Sequence, residues 1–78
     1  MNNLKKVVKI IAKLIMSGSE PSEGEEFIGH IRQCVSIAME VSSEILSVFG
    51  VETEFKTRGI TTALSEEITQ ELHREATE

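Results

Sequence analysis

Residues 22–49 read SEGEEFIGHIRQCVSIAMEVSSEILSVF. Within this stretch Ile31, Ala38 and Ile45 recur every seven residues, flanked on one side by Phe27, Cys34, Val41 and Val48 and on the other by Ile28, Val35, Ser42 and Phe49. At roughly 100° per residue, with Ile37 and Met39 at the margins, the apolar arc covers about 200° of a helix. A surface helix needs an arc only somewhat wider than about 100°. The sequence therefore predicts one long central helix over residues 22–49 with neighbours on more than one side, shared in part between chains. Its seam is Phe27, Ile31, Cys34, Ala38, Val41, Ile45 and Val48.

Working outward, Ser22 and Glu25 match a capping box, in which the two side chains satisfy free backbone N–H groups at a helix start. Pro21 precedes them, and Glu23, Glu25 and Glu26 suit the positive end of the helix dipole. Upstream, Leu4, Val7, Val8, Ile11, Leu14 and Ile15 follow helical spacing, with Lys5, Lys6, Lys9 and Lys13 opposite, which predicts a helix over residues 3–16. Gly18 is placed to end it as a left-handed cap. The short connection at residues 17–21 makes the first two helices an antiparallel hairpin.

Downstream, Gly50 stops the central helix, and residues 51–57 (VETEFKT) alternate in the manner of a strand. A short strand, a hairpin turning at Arg58-Gly59 or an extended linker over residues 51–63 all fit. Ile60, Leu64, Ile68 and Leu72 then form an i, i+4 row, and a short third helix is expected from Ile60 or Ser65 to about Ala76, with 65–76 as its firm extent and Glu67, Glu71 and Glu75 narrowing its buried face. The expected fold is mainly α: a single-domain small helical bundle.

The chain of 78 residues is small for a self-sufficient core. Burial of roughly 4,500–5,000 Å² of apolar surface at about 25 cal/mol per Å² gives about 110–125 kcal/mol. Ordering the chain at about 1.5 kcal/mol per residue costs about 120 kcal/mol, and the near-cancellation calls for a staple. One Cys excludes an internal disulfide, and the ligands of a closed structural zinc site are missing, which leaves self-association.

Charge is unevenly spread. Residues 1–18 carry +4, residues 19–50 carry −5 and residues 51–78 carry −4, for a total of −5. A basic first helix beside an acidic remainder predicts that the two pack together or that the lysines meet an external anion. Lys5, Lys6, Lys9 and Lys13 are thus the candidate face for an anionic partner, including a membrane interface. Lys9 and Lys13 interrupt what would be the apolar core of a signal peptide, and no apolar run reaches the ~18 residues of a membrane span. The single Cys fits a reducing, cytoplasmic setting.

Two further groupings carry chemistry in principle. Glu26, His30 and Cys34 share one ridge of the central helix, but their ridge borders the apolar arc, so boundary packing explains them better than a metal. Cys34 as a nucleophile would need access and a base, and it points toward the expected core, where thiols are inert. No catalytic residue, cofactor site or metal site is expected. Gly29, Ser36, Ser43 and Ser47 lie within about 40° of one another and face either water or a closely packed helix. An acidic helix start at residues 20–26 would be repelled by phosphate, which argues against helix-turn-helix DNA binding. The acidic surface also leaves open an inhibitor that occupies a basic surface on another protein. The expected function is that of a small non-enzymatic, protein-binding regulator, inhibitor or adaptor that self-associates through its central helix. The alternative is a peripheral membrane protein using the first helix.

Overall fold

A computed structural model describes the backbone of residues 2–50 and 58–78, with side chains from residue 4 to 50 and from 62 to 78. It is a bundle of three helices, α1 (Asn2–Ser17), α2 (Phe27–Val48) and α3 (Arg58–Thr77), and the described residues include no strand. Each pair of helices is in contact. The core is built from Val8 and Ala12 of α1, Ile31, Val35, Ala38 and Met39 of α2, and Ile68 and Leu72 of α3, with Ile11, Ile15, Met16 and Leu64 packed against it.

Chain direction follows from side-chain pairs. Lys5 meets Glu67, Lys9 meets Glu75 and Lys13 meets Glu75, so residue numbers climb together and α1 runs the same way as α3. Phe27 lies beside His73 and Arg32 beside Glu66, so α2 runs the opposite way.

α1 forms where its apolar spacing places it, but its end differs from expectation. The left-handed glycines among the described residues are Gly24 (φ 83°) and Gly50 (φ 76°), and Gly18 is not one of them. Hydroxyls occupy the terminal carbonyls instead: Ser17 Oγ donates to Leu14 O at 2.9 Å and Ser19 Oγ to Ile15 O at 2.8 Å.

The start of α2 lies at Phe27, five residues beyond the expected cap. Half of the capping box is present, since the Ser22 N–H donates to Glu25 Oε1 at 2.9 Å. The other half is replaced by a backbone turn in which the Glu25 N–H donates to Ser22 O at 2.9 Å. The left-handed Gly24 breaks the right-handed path there. Glu26 is the residue at the cap, with no side-chain bond. At the other end Gly50 does terminate α2: its N–H donates to Ser47 O at 3.0 Å, in the left-handed geometry that glycine adopts without a Cβ clash.

α3 is the largest departure. It has 20 residues against 22 in α2, so the third helix is not short, and residues 60–63 belong to it rather than to the return strand of a hairpin. The alternating stretch at residues 51–57 lies outside the described residues. Thr69, fully buried in α3, is satisfied by donating to Ser65 O at 2.7 Å, the back-bond available to a helical threonine.

Ser42 is also fully buried, but its Oγ has no hydrogen-bond partner. An unmet buried hydroxyl costs about 1–3 kcal/mol. Ser42→Ala is therefore expected to stabilise the protein by about 1 kcal/mol, read as a higher midpoint in urea with an unchanged slope.

Candidate interaction surfaces

Three places hold the residues with functional potential: the lysine face of α1, a polar cluster at the α1–α2 connection, and the apolar surface of α2.

Lys5, Lys9 and Lys13 sit four residues apart on α1, and Glu67, Glu71 and Glu75 sit four apart on α3, so two parallel helices bring matching rows together. Lys5 Nζ contacts Glu67 at 2.8 Å and also Glu71. Lys9 Nζ contacts Glu71 at 3.2 Å and Glu75 at 2.7 Å, and Lys13 Nζ contacts Glu75 at 3.2 Å. Side chains of Lys5, Lys9 and Glu71 retain only 20–25% exposure, so the ladder lies over the α1–α3 seam. The fourth lysine, Lys6, is exposed and has no ion pair among the described residues. Three of the four candidate anion-binding lysines are thus engaged within the chain. On the far side of α3, Arg32 grips Glu66 in a two-pronged contact, Nε to Oε2 at 2.7 Å and Nη2 to Oε1 at 3.1 Å.

These contacts set the direction of titration. The Glu71 carboxyl is held below its ordinary value of 4.5 chiefly by the hydrogen bond from Lys5, Glu75 by that from Lys9, and Glu66 by that from Arg32. Lys5 is raised above 10.5 by Glu67 and then Glu71, and Lys9 by Glu75. What the carboxylates contribute to stability is complete above pH 4.5 and lost as pH falls through their lowered values. What the lysines contribute is complete below pH 10.5 and lost as pH rises through their raised values. Thermal melts should therefore fall at both pH extremes, and Glu71→Gln should flatten both limbs because it faces two lysines.

At the α1–α2 connection, His30 is buried. Its Nε2 lies 3.2 Å from Ser19 Oγ and 3.7 Å from Cys34 Sγ, and its Nδ1 lies 3.5 Å from Glu25 Oε1. The acid facing His30 is Glu25 and not the ridge neighbour Glu26, whose carbonyl instead accepts the His30 backbone N–H at 3.0 Å. Gly24 produces this exchange by turning the chain before the helix begins. Cys34 is only 2% exposed, so its sulfur lies within the core. No cluster of three or more metal-ligating side chains forms among the described residues. The cluster joins the end of α1, the connection and α2 through one imidazole.

The seam residues of α2 separate into two groups. Ile31, Cys34 and Ala38 are buried in the core and Val41 is half-buried. Phe27, Ile45 and Val48 are exposed, Val48 at 83%. Ile37 and Phe49, outside the seam, are exposed as well, together with Ile10 and Leu14 on α1. Sequence reasoning placed Leu14 on the packed face of α1, where the structure leaves it 67% exposed. Of the small-residue row, Ser36 and Ser47 are exposed, Ser43 is half-buried, and a Cβ built on Gly29 would meet nothing within 4 Å. No described helix is long and apolar enough to cross a membrane. No family model, curated protein or solved structure matches the chain.

Proposed function

We propose that this chain is a small cytoplasmic, non-enzymatic binding protein, a regulator, inhibitor or adaptor of another protein, that self-associates along its central helix. The observation that supports it best is the apolar surface left from the middle of α2 to its C-terminal cap, where Ile37, Ile45, Val48 and Phe49 are exposed after the core has been filled. Isolated apolar residues on a surface need no explanation, but a contiguous exposed apolar patch marks an interaction site. The helical hairpin of α1 and α2 presents this surface, while α3 covers the opposite side and neutralises the lysine row.

The test is light scattering over a concentration series. Self-association predicts a mass rising above 8.7 kDa with concentration, and a constant monomer mass at high concentration overturns it. Affinity purification from the native host with the Val48→Glu variant as control then seeks a protein that depends on the same surface.

The second reading, a peripheral membrane protein using α1, draws on the exposure of Ile10 and Leu14. It is weakened by the glutamates that hold Lys5, Lys9 and Lys13. Sedimentation with anionic vesicles at low and high salt separates the two, since charge attraction is screened beyond about 10 Å at 0.1 M. No binding is expected in either condition.

A further inference from the structure

We propose that a second copy of this chain covers the apolar face formed jointly by α1 and α2, related by a two-fold axis parallel to the helices, so that α1 of each copy lies on α2 of the other. The proposal rests on the self-association reading above and names its surface, symmetry and charge pairing.

The face follows from rotation about each helix. On α1 the lysine row faces α3 and Val8 and Ala12 face the core. Counting about 100° per residue, Val7 and Leu14 then fall on the flank away from α3, the flank that adjoins α2, with Ile10 at its outer edge. On α2, Ile31, Val35 and Ala38 face the core and Arg32 faces α3. The same count places Ile37, Val41 and Val48 on the flank away from α3, adjoining α1. The two flanks form one continuous surface, and its large residues are open: Ile10 at 60%, Leu14 at 67%, Ile37 at 44% and Val48 at 83%.

Charge selects the occupant and the symmetry. Lys6 lies at the outer edge of the α1 flank, and Glu40 and Glu44 lie at the outer edge of the α2 flank; all three are exposed and none has an ion pair among the described residues. The face is therefore basic along one rim and acidic along the other. The Ser19–His30 contact fixes the register of α1 against α2, and equal steps away from it along the two helices bring Lys6 level with Ser43, beside Glu44. A two-fold axis along the helices sets Lys6 against the partner's Glu44 and Leu14 and Ile10 against the partner's Ile37. An axis across the helices would stack α2 on α2 and set Glu40 and Glu44 against the same carboxylates, an arrangement that like-charge repulsion disfavours. An anionic membrane would meet the same two glutamates.

Sedimentation equilibrium of the full chain tests this, with circular dichroism to confirm folding. The parent should associate to twice 8.7 kDa. Leu14→Glu and Ile37→Glu, at positions already open to solvent, should each remain helical and monomeric. Lys6→Glu alone should raise the dissociation constant by about fivefold, and adding Glu44→Lys to it should restore the parent value. A parent that stays monomeric overturns the self-association reading and this inference together. A parent dimer that survives Leu14→Glu and Ile37→Glu leaves self-association standing and removes this face. A dimer on which the charge exchange shows no rescue removes the symmetry.

Discussion

Ile31→Ala is expected to cost roughly 2–5 kcal/mol, the largest loss among truncations to alanine on the central helix, since Ile31 is its largest fully buried side chain. Ile31 is fully buried in the cluster that joins all three helices, so the lost atoms leave a cavity lined by α1 and α3 as well as α2. Ile45 lies on the same seven-residue line but is 45% exposed. Ile45→Ala should therefore leave the folded monomer almost untouched and act, if anywhere, on association. Urea denaturation of both variants checks the contrast. Equal losses at the two positions would mean that Ile45 is packed within the chain and that α2 is rotated differently about its axis.

Ala38→Leu should be nearly as damaging, for the opposite reason. Ala38 is fully buried between Ile31 and Ile45 in sequence, at a level where α1 contributes Val8 and Ala12. Small residues from two helices meeting in one core bring the backbones close, and three added carbons have no space to enter. Overpacking of this kind costs about 1–3 kcal/mol. A melting temperature at or above that of the parent would show that the α1–α2 contact is loose.

How much of this was legible in the sequence differs by element. α1 was readable because its apolar spacing and its lysines both report a 3.6-residue period. The partner of its lysines was half readable: the charge imbalance indicated that α1 would meet acid, and the row of Glu67, Glu71 and Glu75 was visible, but only the parallel course of α3 puts the two in register. The seam on α2 was read by sevens, and a straight helix slips about 20° per heptad from such a row. Phe27, Cys34, Val41 and Val48 accordingly do not share one environment, and by Val48 the row has left the core. The start of α2 was misplaced because Ser22 and Glu25 do form a cap-like contact, around a turn that Gly24 closes. The start of α3 at Arg58 was half legible: the i, i+4 row allowed a helix from Ile60, but threonines and a glycine, which favour other conformations until packing overrides them, left a hairpin or linker open as well. The His30 cluster was seen in part, since helical spacing reveals His30 and Cys34 but cannot reveal Ser19 and Glu25, which arrive from the connection.

The lysine–glutamate ladder bears on how the chain behaves while it is being made. Its rungs join residues 62 to 66 positions apart, so α1 is synthesised long before the acids that neutralise it. Residues 1–50 alone carry four lysines on one helix without the acids of α3 and a net charge of only −1, from +4 over residues 1–18 and −5 over residues 19–50. Such a fragment carries its positive charge as a bare stripe along α1 and its negative charge elsewhere. Arrival of α3 cancels the stripe, so neutralisation of α1 is coupled to completion of the fold.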